Sequence, residues 1–365
     1  MRILFVTQVD LDRAYGGARH VSAVAAELAR LEHEVTLVAP GRATVPGVRR
    51  VRPFSGLRAG ATLEAAQAAL SLREVFANRP DAAYVRISAS TLLVPWALRG
   101  SGVPVVLELN GAILAELEHL GRSRTVVSVV RRNLRSVVRI ARALVAVEDV
   151  IADHARRELG ARHVEVIENG ADLASAVPGE REPARRRLDL PLDRKIVAFA
   201  GTLTPEVRLD LLLEAVSGLS GVDLVLAGGG PRSAELETSR PGVRWLGPRT
   251  HDEAVDLIRA ADICVNVRDG WIGMKCLEYA ALGRRFVTFE ERGLERLVQL
   301  YPNLDAVHVV RDRTSTALRS GIIAALEAEH RLGPLPGPAV AAARDRIGWE
   351  HTARGVAYVL ESAIR

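Results

Sequence analysis

Apolar residues in this chain fall into short unbroken runs, separated by longer stretches with a helical repeat. The runs at 3–7, 33–38, 82–86, 103–109, 143–147 and 164–167 read as strands. A second series lies at 196–200, 223–227, 243–247, 263–267 and 286–289. Between them, helical patterns cover 21–31, 61–76, 208–219, 253–260 and 352–364. Alternation of this kind predicts β-α-β units, parallel pairing and an α/β fold. The stretch 174–190, rich in Pro, Glu and Arg, reads as a linker between two such domains.

One helix carries a second pattern. Residues 122–144 hold seven arginines and no acidic residue. At about 100° per residue, Val126, Val127, Val130, Leu134, Val137, Val138 and Ala141 share one stripe. Arg124, Arg131, Arg132, Arg135, Arg139 and Arg142 lie opposite. Two readings stand: a core-facing stripe with a solvated arginine face, or peripheral contact with an anionic membrane surface.

Composition narrows the field. At 365 residues the chain has room for two domains, and 48% hydrophobic with 25% charged residues is ordinary globular usage. No apolar run approaches membrane-spanning length. The opening apolar run is too short for a secretory leader. Two cysteines give no disulfide framework and no metal-ligand spacing, so a reducing cytoplasm is expected. The net charge of +5 is almost wholly arginine, since Lys195 and Lys275 are the only lysines. Aromatics make up 4% of the chain, which is poor for base stacking and argues against a nucleic-acid partner.

Candidate chemistry concentrates in 270–287, which reads G-W-I-G-M-K-C-L-E-Y-A-A-L-G-R-R-F-V. Gly273 is placed to start a helix through Met274 and Leu277, and Gly283 to end it. Lys275 falls in the first turn, where the helix dipole disfavours a cation, so a bound anion would explain it. Glu278 follows one turn later, within reach of a ribose hydroxyl pair. A diphosphate and a ribose in that order make a nucleotide; an ordinary surface helix is the other reading. In the first half, Gly16 and Gly17 open the first helix and let backbone approach a phosphate or acceptor. Arg86 ends a strand on the edge where open α/β sheets bind ligands. The G-x-G-x-x-G fingerprint is absent after the first strand, which counts against an oxidoreductase.

The stretch 270–287 resembles the donor-binding segment of retaining GT-B glycosyltransferases, the family 4-like, group 1 enzymes. Glu278 matches the second glutamate of that family's Glu-x7-Glu motif, and the first falls on Gly270, with Asp269 beside it. Further likeness lies in the Gly16-Gly17 pair with H-E-V-T-L-V, in Glu168-Asn169-Gly170-Ala171-Asp172, and in Gly228-Gly229-Gly230-Pro231. The resemblance implies a GT-B architecture: two doubly wound Rossmann-like domains, 1–173 and 191–349, facing a central cleft. The tail, 350–365, would pack back on the first. The implied donor site holds Gly201, Thr202, Arg208, Pro248, Arg249, Asp269, Gly270, Gly273, Met274, Lys275 and Glu278. Asn110 stands where many members place a histidine near the reaction centre, with Glu108 and Lys275 as further catalytic candidates. Two cations of the family pattern are missing, an arginine at Thr202 and a lysine at Val207.

The activity so implied is sugar transfer from a nucleotide-diphosphate sugar to an undefined acceptor, with retained configuration and with no metal or cofactor. Glycolipid, cell-surface polysaccharide or glycoside synthesis would be its setting, in the cytoplasm or on the cytoplasmic face of a membrane. The missing cations and first glutamate favour a rival, a catalytically impaired homologue that binds a nucleotide or partner subunit. A sugar-nucleotide epimerase shares the architecture and is a second rival.

Overall fold

The computed structural model describes all residues except 14–15, 54–59, 175, 271–273 and 292–293. The chain divides into two compact units, Met1–Gly170 with Trp349–Arg365, and Ala171–Gly348.

The first unit runs β1 (Arg2–Val6), α1 (Gly16–Arg30), β2 (Glu34–Val38), β3 (Arg49–Val51), α2 (Ala61–Asn78), β4 (Ala82–Arg86), α3 (Leu93–Gly100), β5 (Val105–Leu109), α4 (Ile113–His119), α5 (Arg124–Ile140), β6 (Ala143–Ala146), α6 (Asp149–His154) and β7 (Val164–Val166). Its seven strands lie in the order β3-β2-β1-β4-β5-β6-β7, and all pairs are parallel. β5 is buried along its whole length, as a central strand covered on both faces must be.

The second unit runs α7 (Arg181–Arg187), β8 (Lys195–Ala200), α8 (Leu209–Val216), β9 (Val222–Ala227), β10 (Val243–Trp245), α9 (His251–Ala260), β11 (Ile263–Asn266), α10 (Met274–Ala281), β12 (Arg285–Phe289), α11 (Leu294–Leu300), β13 (Val307–Val310), α12 (Ser315–Leu332) and α13 (Gly337–Ile347). Its sheet order is β10-β9-β8-β11-β12-β13, again all parallel. The last helix, α14 (Trp349–Ile364), returns to the first unit. There Trp349, Val356 and Leu360 are buried, and Thr352 Oγ1 donates to the Glu168 carbonyl at 2.8 Å. In each sheet the strand order reverses once, between β1 and β4 and between β8 and β11. Loops leaving the carboxyl ends of those strands are where doubly wound sheets bind ligands.

The linker expectation for 174–190 is corrected. This stretch belongs to the second unit and carries α7. Three of its arginines, Arg181, Arg185 and Arg187, are tertiary ties. Arg185 is buried, donates to the Ala260 carbonyl at 2.9 Å and pairs with buried Asp262 at 2.7 Å. Arg181 reaches Glu329, which also holds the fully buried Arg285. The units change over at 170/171 and at 348/349. Ala171 bridges Gly348 there, and its N–H donates to Ile347 at 2.6 Å.

Candidate active site

The loop after β8 is fastened on two sides. Toward β9, the Gly201 N–H donates to Ala227 and the Leu203 N–H to Gly229, both at 3.0 Å. Gly228, at φ +135°, approaches so closely that a Cβ would stand 1.9 Å from the Gly201 carbonyl oxygen. Toward β11, Val207 forms an antiparallel bridge with Arg268. The Arg208 N–H donates to Val267 at 2.7 Å, and the Asp269 N–H to Glu206 at 2.9 Å. Gly201, Thr202, Arg208, Asp269 and Gly270 are thereby gathered on one sheet edge, at the strand-order reversal.

The charges on this edge are already paired. Arg208 meets Asp210 at 3.1 Å and Asp269 at 3.7 Å. Its pKa is raised above the usual arginine value, first by the hydrogen bond to Asp210 and despite partial desolvation. Arg313, from the loop after β13, meets Asp269 at 2.7 Å and also Glu291. Glu291 accepts the Gly270 N–H at 3.0 Å. Pro248 lies against the glycine turn: a Cβ on Gly229 would come within 2.9 Å of its ring. Trp245 Nε1 donates to the Gly228 carbonyl at 2.8 Å and holds that turn from behind. Arg249, a further residue of the implied donor site, pairs with Glu253 at 3.0 Å. Glu253 closes a capping box with Thr250 at the start of α9, so Arg249 is drawn onto the helix cap.

The helix α10 stands on the same side of the sheet, in the crossover from β11 to β12. The Tyr279 hydroxyl donates to Val265 at 3.3 Å and accepts the Ala200 N–H at 3.4 Å, which pins the helix over β8 and β11. Gly283 takes φ +64° and ends the helix in the left-handed conformation expected of it. Gly273 lies outside the described residues; Met274 is the first residue of the helix. Lys275 and Glu278 differ from expectation in one respect. Their side chains pair with each other at 2.6 Å, one turn apart, with Glu278 buried. The reason is spacing: a lysine and a glutamate at i and i+3 on one helix face are neighbours before any ligand arrives.

In the first unit, the structure places Glu108, a catalytic candidate of the sequence, among buried polar partners. Its carboxylate is fully buried and bonded to Nε2 of buried His20, with Arg86 at 3.8 Å. Burial alone would raise its pKa. The His20 charge and hydrogen bond outweigh that, with Arg86 and the Asn110 amide adding, and hold it at about 2. The other ring nitrogen of His20 meets Asn169 Oδ1 at 2.6 Å, and Trp349 packs edge-on against the ring at 5.4 Å. His20 and Glu108 thus form a buried pair, with an oxygen facing each ring nitrogen of the histidine. Asn110 follows β5, half-buried beside Glu108. Gly16 and Gly17 form the first turn of α1, as expected.

Residues 14–175 match the family described as Glycosyltransferase Family 4, and residues 194–328 match Glycosyl transferases group 1. This chain belongs to the group 1, family 4-like glycosyltransferases. Over 144 residues it is 33% identical to D-inositol 3-phosphate glycosyltransferase of Mycobacterium tuberculosis. That match covers 36% of this chain and 30% of the relative. Sucrose-phosphate synthase of Thermosynechococcus elongatus has the same fold, with TM-score 0.79 and 16% identity over 99% of this chain and 98% of the other. HepE of Anabaena, solved with UDP, gives TM-score 0.76 at 19% identity, covering 99% and 100%. The fold is GT-B, two parallel-sheet α/β domains.

The sequence reading missed Arg232, Arg313 and His20. Arg232 directly follows the Gly228–Pro231 turn and reaches Asp210 and the Val207 carbonyl. That adjacency was a usable signal. Arg313 had none, because β13 was not predicted. His20 sits one turn inside α1, four residues from Gly16, and only the tertiary fold brings Glu108 to it.

Proposed function

We propose that this glycosyltransferase moves a sugar from a nucleotide-diphosphate sugar to an acceptor with retention of anomeric configuration. The donor nucleotide binds on the second unit, at the edge built from Gly201, Thr202, Arg208, Asp269, Gly270 and α10. The observation that carries this reading is the zipping of the 201–208 loop to both β9 and the segment after β11, which sets close-approaching backbone beside Arg208 at the strand-order reversal. Structural neighbours bound to UDP and UDP-glucose agree with a nucleotide-sugar donor.

On this reading Lys275 turns from Glu278 to the diphosphate when donor binds. Glu278 is then free to accept from the ribose hydroxyls. The donor phosphate itself would take the acceptor proton on the sugar's front face. The protein supplies orientation and charge for the departing diphosphate. Arg208 and Lys275 stand in for the cations absent at 202 and 207. A thermal-shift panel of nucleoside diphosphates and their sugars tests this, since a ligand at a hundredfold excess over its Kd stabilises by about 2.7 kcal/mol. NMR of the product then reads the anomeric configuration. Inversion would overturn the retaining mechanism.

A second reading, a catalytically impaired homologue, is favoured by one specific observation. Arg208 and Lys275 are both neutralised by carboxylates of the same unit. Stabilisation by a nucleotide sugar with neither transfer nor hydrolysis would select it.

A further inference from the structure

Loops of the second unit leave the carboxyl ends of β8, β11, β12 and β13, and a chain of charges ties the four together. Arg208, after β8, faces Asp269 at 3.7 Å. Asp269, after β11, accepts from Arg313 Nη1 at 2.7 Å. Arg313, after β13, donates through Nη2 to Oε1 of Glu291, after β12, at 2.5 Å. Its guanidinium lies over the ring of buried Phe289, 5.0 Å from the centroid. Held between two carboxylates and against a ring, Arg313 has little freedom to turn away.

Glu291 is fixed by this chain without being used up by it. Its Oε1 takes both bonds, one from Arg313 and one from the Gly270 N–H at 3.0 Å. Oε2 accepts from no other described residue. An ionised carboxylate offers about four lone-pair sites, so about half of this one's capacity stays open. The side chain is only 10% exposed, so the carboxylate stands in one place before any ligand arrives. Among the described residues nothing lies within 4 Å of a Cβ placed on Gly270, so there is room beside the amide that Glu291 holds.

The chemistry of the open oxygen selects its partner. A carboxylate repels phosphate and can only accept hydrogen bonds, so the group it meets is a neutral donor such as a hydroxyl. Glu278 is taken by the ribose on the reading proposed above, and it stands on α10, over β8 and β11. Glu291 leaves β12, one strand further from Arg208. A nucleotide sugar carries hydroxyls on both sides of its diphosphate, and the sheet edge offers one carboxylate for each. We propose that Glu291 accepts hydrogen bonds from hydroxyls of the sugar being transferred, and that Arg313 positions it. This inference rests on the donor-site reading above and adds to it the residue that discriminates between sugars.

The test is calorimetry with UDP, ADP, GDP and dTDP, and with UDP-glucose, ADP-glucose, GDP-mannose and dTDP-glucose. The parent is compared with Glu291→Gln and with Glu291→Asp, which keeps the charge, and thermal melts verify folding. For the nucleotide that the parent prefers, both variants should bind the diphosphate within about twofold of the parent and its sugar conjugate roughly tenfold or more weakly. Arg313→Ala should shift the sugar conjugate in the same direction by a smaller factor. Conjugates lacking a single sugar hydroxyl form the second arm: loss of one hydroxyl should weaken binding to the parent and affect Glu291→Gln much less. Equal losses of diphosphate and conjugate in the Glu291 variants overturn the inference and leave the donor site standing. So does the same pattern of hydroxyl dependence in parent and variant. A parent that binds none of the eight ligands overturns the donor reading itself, and this inference with it.

Discussion

At the scale of single residues, two buried carboxylates are held by different partners. Glu108 sits at 0% exposure and is stabilised as an anion by His20 and Arg86. Because its folded pKa, about 2, lies below its ordinary value, its contribution to stability is complete above the ordinary carboxylate range. It is lost as pH falls from roughly 4.5 toward 2. A shift of this size corresponds to about 3 kcal/mol. In chemical denaturation at a series of pH values, Glu108→Gln should be less stable than the parent at neutral pH. It should also show a shallower loss on acidification over that window. Parallel pH curves for the two proteins would show that the His20 pair is not the source.

Glu278 is held by Lys275 alone among the contacts described for its side chain. A pair of one flexible lysine and one glutamate in the first turns of a helix can open without disturbing the core. For nucleoside diphosphates, Lys275→Ala should weaken binding about tenfold, near 1.4 kcal/mol, and nucleosides should lose much less. Glu278→Ala should weaken both, with the melting temperature little changed. Calorimetry checks the set; equal losses for diphosphates and nucleosides in Lys275→Ala would remove the phosphate role.

At the scale of elements, the site depends on contacts between loops more than on the helices themselves. The turn after β9 touches the turn after β8 backbone to backbone, with Gly228 at φ +135°. Any side chain there meets both left-handed strain and a carbonyl oxygen 1.9 Å from its Cβ. Gly228→Ala should therefore cost more than about 2 kcal/mol of stability and displace Gly201 and Thr202. Gly229→Ala is a milder comparison, because the Pro248 ring is its nearest obstacle. Denaturation curves of the two variants should rank in that order.

At the same scale, legibility in the sequence varied for physical reasons. The strand Ala82–Arg86 is bounded as its sequence run predicts, since a central strand is buried on both faces and all of it before Arg86 is apolar and buried. Gly283 was readable because a helix end in the left-handed conformation leaves few alternatives to glycine. By contrast, α7 holds four arginines in seven residues, and no periodicity tells a solvated arginine from one buried against Asp262. β13 escaped because His308 interrupts its apolar run and its burial is partial.

For the whole molecule, the division into units makes an asymmetric prediction. Residues 171–348 form one continuous unit with its own core. Expressed alone, they should melt cooperatively and keep the nucleotide diphosphate binding of the parent. Residues 1–170 should not fold stably alone. They lack α14, whose Trp349, Val356 and Leu360 are buried in this unit and whose Glu350 pairs with Arg30. Adding 349–365 back in trans should restore structure by circular dichroism.

The sequence by itself determined the alternation of buried strands with helices, the two-domain α/β class and the glycine turns that crowd the second sheet's edge. These are local properties, written in periodicity and in backbone conformations that only glycine tolerates. Tertiary structure alone decided the partners of the charges. Glu108 became half of a buried pair with His20, and Arg313 a neighbour of Asp269 and Glu291, because each partner arrives from a distant strand, helix or loop. Ion pairing depends on distance and desolvation, and neither is set until the sheets have assembled.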